Sequence, residues 1–227
     1  MQPASIYPPW INIHTHHKPN NETELVIRNA YNSAPLTLLP LGYYFSCGIH
    51  PWFATQNTIS KSLAQIERSL THKNCLALGE CGLDRLRGPK LSVQQLIFDA
   101  HIKLAKHYNK PLIIHSVRAH SEVIAMMRQN IQPAVIHGFN GGKKALSAFL
   151  DQGFRISVGH RLLMSPAGRE CILHIPLEML YFETDTQCMP VRGVYETFAR
   201  LAHVELNTLR QQIWTNFTRD FITDYGS

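Results

Sequence analysis

The chain has 227 residues, 44% hydrophobic and 17% charged, a balance that suits a globular protein with a sizeable core and excludes a disordered or fibrous one. No apolar run approaches the ~20 residues needed to cross a bilayer, and the first ten residues carry neither the basic nor the apolar region of a signal peptide, so a cytoplasmic protein with no membrane partner and no evident obligate protein partner is expected. The formal charge of +6 permits a polyanionic partner without demanding one, because the basic residues are scattered and the densest cluster, Arg85, Arg87 and Lys90, is small.

The five cysteines (47, 75, 81, 171 and 188) are odd in number, widely spaced and without a C-x-x-C pair, which argues against a disulfide framework or a zinc ribbon. Thirteen histidines are the unusual feature of the composition, and neutral imidazole is the commonest metal ligand. Where they fall along the chain decides what they mean.

In chain order, a candidate strand at residues 10–13 runs into His14 and His16, and another at 43–47 runs towards His50. A strand at 75–79 runs into Glu80. A helical pattern follows over 92–107, with Leu96, Ala100, Leu104 and Ala105 sharing a face and Ser92 with Gln95 forming a capping box. The unit then recurs. Strands at 112–114, 134–136, 154–158 and 180–182 alternate with helices at 121–129, 143–152, 167–174, 194–202 and 207–217. Continuous apolar strands alternating with helices mean a parallel sheet covered by helices. No linker or low-complexity stretch interrupts it, so a single domain over 1–227 is expected.

The strand ends favour a closed barrel over an open sheet. Chemistry in such barrels sits at the C-terminal ends of the strands, and here nearly every candidate strand ends in a ligand-type residue. His115 follows 112–114, His137 follows 134–136, His160 lies just beyond 154–158, and Glu183 and Asp185 follow 180–182. Each alone is weak evidence. His14-Thr-His16 is stronger, because alternate residues of an extended segment point the same way and can reach one cation. Together, two carboxylates and four histidines at successive strand ends point to a catalytic divalent metal centre, since mixed imidazole and carboxylate shells suit zinc, manganese or magnesium with positions left open for water.

Several motifs now resemble one family. Ile-His-Thr-His (13–16), Cys-Gly-Ile-His-Pro-Trp (47–52), Leu-Gly-Glu-Cys-Gly-Leu-Asp (78–84), Gln-Gln-Leu-Ile-Phe (94–98), Pro-Leu-Ile-Ile-His-Ser (111–116), His-Gly-Phe-Asn-Gly (137–141), Gly-Phe-Arg-Ile-Ser-Val-Gly (153–159), Glu-Thr-Asp (183–185) and Asn-Phe-Thr-Arg-Asp-Phe (216–221) follow, in order, the pattern of the TatD family of metal-dependent hydrolases. The resemblance implies an α/β fold, a distorted (β/α) TIM-like barrel. It implies one or two divalent ions, with His14, His16 and Asp185 at one, Glu80 bridging, and His115 and His137 completing a second.

The resemblance also implies a deoxyribonuclease acting on DNA or another phosphodiester, with Asp185 and Glu80 catalytic and Asp84 a positioning residue rather than a ligand. His50, Arg85, Arg118 and His160 are candidates to hold substrate anions. An enzyme acting on a small amide, ester or lactone uses the same metal centre, and a non-catalytic binding barrel is the reading from another class. The chain departs from the family in detail. Only 33 residues separate His16 from His50, so one strand–helix unit near the N-terminus is expected to be abbreviated. Asn12 stands where the family has aspartate, Val117 where it commonly has arginine, and Thr186 to Arg192 replace a longer loop.

Overall fold

The computed structural model describes residues 7–21, 23–30, 43–55 and 59–222. Eight parallel strands form one sheet in sequential order: β1 (Trp10–Thr15), β2 (Glu24–Asn29), β3 (Tyr44–Cys47), β4 (Cys75–Asp84), β5 (Leu112–Val117), β6 (Ala134–Ile136), β7 (Arg155–Val158) and β8 (Leu180–Phe182). Helices α1 (Ile59–Leu70), α2 (Leu91–Tyr108), α3 (His120–Met127), α4 (Lys143–Leu150), α5 (His160–Met164), α6 (Pro166–Ile172), α7 (Arg192–Ala202) and α8 (Leu206–Phe221) complete the alternation. This is a nearly closed TIM-like barrel, in which all strand C-termini open on one mouth.

The abbreviated unit is the β1–β2 step, where no helix intervenes among the described residues; residues 31–42, after β2, lie outside them. β2 itself was not expected, because Glu-Leu-Val-Ile-Arg-Asn is half polar. The strands are buried on both faces, with Ile11, Ile13, Ile27, Leu78, Ile113, Ile114, Val135, Ile156 and Phe182 at the centre. All five cysteines are free thiols, four of them buried.

Two expectations about α2 are corrected. Its N-cap is Lys90 without a side-chain cap, so Ser92 and Gln95 form no capping box. Leu96 is 57% exposed; Ala105 is buried and Leu104 packs against the core as expected, but the rest of the buried face is Gln94, Ile97, Phe98 and His101. Periodicity counted only apolar residues, whereas two members of the real face are polar with dedicated partners. The helix ends where Asn109 adopts a left-handed conformation (φ 49) and returns its N–H to the Ala105 carbonyl.

The barrel closes between β8 and β1 only at the mouth, through a bridge between Thr15 and Asp185. There the Asp185 N–H donates to the His14 carbonyl (3.1 Å) and the His16 N–H to the Asp185 carbonyl (3.0 Å). Below it the Tyr195 hydroxyl from α7 replaces the missing ladder, donating to the Ile11 carbonyl (2.9 Å) and accepting from the Ile11 N–H (3.1 Å). Asn12 adds side-chain bonds to Thr184 (2.9 Å) and Glu24 (3.3 Å), so its amide ties β8 to β1 and β2. At the other end, Asn216 and Asp220 of the closing segment are structural. Asn216 donates to the Leu177 and Leu180 carbonyls, and Asp220 holds Arg155 and the Tyr181 hydroxyl.

Candidate metal centre

Two of the three register shifts in the sheet fall where ligand-type residues sit, the third lying between Phe45 and Ser46. β1 slips against β2 between Asn12 and Thr15, around His14, and β4 slips against β5 between Leu78 and Cys81, around Glu80. Such irregularities re-aim a side chain at a barrel rim. Gly82 makes room for the second slip, since a Cβ there would stand 2.1 Å from the His115 carbonyl oxygen. Glu80 therefore lies inside the ten-residue β4 rather than after a strand end, and His14 and His115 likewise lie within β1 and β5.

Three imidazoles converge on one carboxylate oxygen. Glu80 Oε1 is 2.8 Å from His137 Nε2, 2.9 Å from His115 Nδ1 and 2.9 Å from His50 Nε2. Its Oε2 takes a hydrogen bond from Asn29 Nδ2 (3.1 Å) and lies 3.5 Å from His14 Nε2. Asp185 Oδ1 stands 3.5 Å from His16 Nε2 and 3.7 Å from His14 Nε2. Among the described residues, three trios have ligand atoms within 4.8 Å of one another: His14, His16 and Asp185; His14, Glu80 and His137; and His50, Glu80 and His115.

The electrostatics follow from this crowding. Burial alone would push the Glu80 carboxyl up; the His137 charge, the hydrogen bonds of His115 and His137 and the nearby His14 ring outweigh it and hold the group well below the usual carboxylate range. Burial opposes the charge on His137, yet Glu80 and Glu183 raise it well above an ordinary histidine. Asp185 is held low against burial by His16 and the charges of His137 and His14. His14 is the decisive residue. It is fully buried, and both ring nitrogens lack a hydrogen-bond partner. A buried imidazole without a partner is costly, and a cation between Glu80 and Asp185 is the group that this donor set fits.

The remaining candidates divide by position. His50, expected at the substrate, is 8% exposed and sits within the Glu80 cluster, where its strand-end position alone gave no hint of ligand geometry. Asp84 accepts from Trp52 Nε1 (2.5 Å), the Leu86 N–H (2.7 Å) and His115 Nε2 (3.1 Å), so it orients that ring from behind. Arg85 is ion-paired to Glu122. Arg118 is exposed after β5 with a left-handed φ of 50°, and His160 opens α5.

Glu183 was quoted in the sequence motif but given no role. It is 1% exposed, and its Oε1 accepts the Gly138 N–H (2.7 Å) and lies 3.4 Å from His137 Nδ1, the carboxylate behind a histidine that typifies metal sites. A cavity of about 360 Å³ opens beside Asp185, lined by Phe139, Asn140, His160, Arg161, Glu183 and Gln187 among others.

A barrel whose mouth gathers histidines and carboxylates in this way has the architecture of metal-dependent hydrolases. The sequence model of the family described as TatD related DNase matches residues 23–221. A relative from Escherichia coli (strain K12), named uncharacterized metal-dependent hydrolase YjjV, is 33% identical over 157 residues, 66% of this chain and 60% of its own. A protein of Edwardsiella piscicida named 3'-5' ssDNA/RNA exonuclease TatD is 33% identical over 156 residues, again 66% and 60% of the two chains. The crystal structure of the YjjV TatD homolog from Escherichia coli K12 shares the fold, with a TM-score of 0.77 at 24% identity over 94% of this chain and 98% of that one. The chain belongs to the TatD family of metal-dependent hydrolases. Its sequence matches span about 60% of the length of these two relatives.

Proposed function

We propose that residues 1–227 form one domain that hydrolyses phosphodiester bonds of DNA from a strand end, with one or two divalent ions held by His14, His16, Glu80, His115, His137 and Asp185, and with His50 added to that set. The observation that carries the reading is His14, buried with both nitrogens unpartnered between Glu80 and Asp185. A divalent ion in this nest supplies positive charge that polarises a phosphoryl oxygen and acidifies water. The chain's own groups do the rest.

Asp185, held low in pKa and 38% exposed, is ionised at neutral pH and faces the mouth, so it accepts the proton of the attacking water. Glu80 fixes the three imidazoles around one oxygen, and Asp84 and Glu183 brace His115 and His137 from behind. Arg118 and His160 are assigned to the substrate's anions; Arg85, engaged by Glu122, contributes less. The cavity beside Asp185 suits one terminal nucleotide. It would also admit a small ester or lactone, which is the second reading.

The test is a single-stranded oligodeoxynucleotide incubated with Mg²⁺, Mn²⁺ or Zn²⁺. Release of mononucleotides, abolished by chelator and reduced by at least about 10²-fold in Asp185→Asn, is expected. Turnover confined to small esters or lactones would overturn the phosphodiesterase reading in favour of the second.

A further inference from the structure

We infer that Trp52 and Phe53, with the loop carrying Arg87 and Lys90, form a shelf that stacks an unpaired nucleobase beside the scissile phosphate. The inference rests on the phosphodiesterase reading and names what that site recognises.

The shelf begins where the metal cluster ends. His50 caps the 3₁₀ turn Pro51–Phe53, accepting the Trp52 N–H on Nδ1 (3.1 Å) while its Nε2 faces Glu80. The Trp52 ring lies 4.7 Å from the His50 ring and 5.9 Å from that of His115, and the Phe53 ring lies 5.8 Å from His50. A base next to a phosphate held on the proposed ions beside Glu80 would thus have the Trp52 and Phe53 rings within reach.

Both rings are open to solvent, Trp52 at 36% and Phe53 at 54%, whereas the other nine phenylalanines are all buried. Exposing adjacent aromatics forgoes burial that a purely structural turn would use. The Trp52 ring and the Phe53 backbone are also tied down. Trp52 Nε1 is fixed on Asp84, and the Phe53 N–H donates to the His50 carbonyl (3.0 Å).

Beneath them the loop packs so closely that a Cβ on Gly88, in the left-handed region at φ 87, would meet the Pro51 carbonyl oxygen at 2.6 Å. The loop in turn is anchored by buried Gln94, which accepts the Asp84 N–H and donates to the Asp84, Arg87 and Pro89 carbonyls. A surface already ordered before binding loses little entropy on stacking a base.

Charge completes the match. The Arg87 guanidinium lies 4.6 Å from the Trp52 ring centre, and neither Arg87 nor Lys90 has a carboxylate partner among the described residues. They border a cleft of about 250 Å³ beside Asp84. Aromatic faces interleaved with unpaired cations suit the alternating bases and phosphates of a single strand. A duplex hides its base faces, and a small amide or lactone has no use for either feature.

The experiment compares steady-state kinetics of the full chain on an unpaired oligodeoxynucleotide and on an abasic dinucleotide, a small diester with no aromatic ring to stack. In Phe53→Ala, kcat/KM for the oligonucleotide is expected to fall about tenfold relative to that for the small diester, the size of one base–aromatic contact. Phe53→Tyr should restore it, and Arg87→Ala should flatten the salt dependence of oligonucleotide KM. A wild-type enzyme that cleaves both substrates, with these ratios unmoved in the variants, overturns the shelf alone and leaves the exposed rings to a protein partner. A wild-type enzyme that cleaves neither substrate with any divalent ion overturns the phosphodiesterase reading, and the shelf falls with it.

Discussion

At the residue scale, His50 and His101 carry the most discriminating expectations. His50 Nε2 lies 2.9 Å from Glu80 Oε1, so His50→Ala should lower kcat and metal content about 10–100-fold with KM little changed. A raised KM with normal kcat and full metal content would return His50 to the role of substrate contact. His101 acts one step back. Fully buried, it accepts the Ile49 N–H on Nε2 (2.9 Å) and pairs Nδ1 with the Ile97 carbonyl (2.7 Å), thereby holding the strand end that presents His50. Burial pulls its pKa down to about 4, against the hydrogen bond to Ile97.

The unfolded chain therefore takes up this proton first, so stability is full above about pH 6.5 and falls, by about 3 kcal/mol at the limit, as the pH drops towards 4. Urea midpoints between pH 7 and 4.5 should decline more steeply in the native chain than in His101→Gln; equal slopes would refute the assignment. None of this was legible in the sequence, where His101 is one polar residue inside a helix. The His14-x-His16 pair was legible, because extended backbone fixes which way alternate residues point. His50 and Glu183 were visible as polar residues near strand ends, but which of them face one another depends on register shifts that no local pattern records.

At the element scale, β6 and β8 were readable as unbroken apolar runs and β5 as one that opens with Leu112–Ile114, whereas β2 was hidden by Glu24, Arg28 and Asn29. Glu24 is nonetheless buried, since it accepts from Asn12, Asn20 and the Val191 N–H. The seam between β8 and β1 shows the same principle. Three residues of β8 leave the Ile11 backbone without a partner on the β8 side, and one tyrosine hydroxyl serves both its N–H and its carbonyl.

Tyr195→Phe deletes that single oxygen and strands two buried backbone groups, which should cost about 2–4 kcal/mol. Urea denaturation measures it. Because the mouth keeps its own bonds at Thr15 and Asp185, kcat of the folded fraction should stay near that of the native chain. A loss below about 0.5 kcal/mol would mean that the backbone at Ile11 finds another partner.

At the scale of the whole molecule, the metal centre and the barrel seam are one structure. His14 and His16 extend β1, Asp185 follows β8, and Glu80 and His137 bring in β4 and β6, so a cation in this nest ties the first strand to the last and both to the middle of the sheet. An ion that binds only the folded chain adds RT ln(1 + [L]/Kd), about 2.7 kcal/mol at a hundredfold excess over Kd. For a domain of this size each 1 kcal/mol moves Tm by about 2–4 °C. Addition of the cognate divalent ion to chelator-treated protein should therefore raise Tm by about 5–10 °C, and EDTA should reverse it. In Asp185→Asn, which weakens the tie at the seam, the rise should shrink to less than half. In Tyr195→Phe, the starting Tm should be lower but the rise nearly intact, because the ligands are untouched. A full-sized rise in Asp185→Asn would locate the cation away from the β1–β8 seam and separate metal binding from barrel closure.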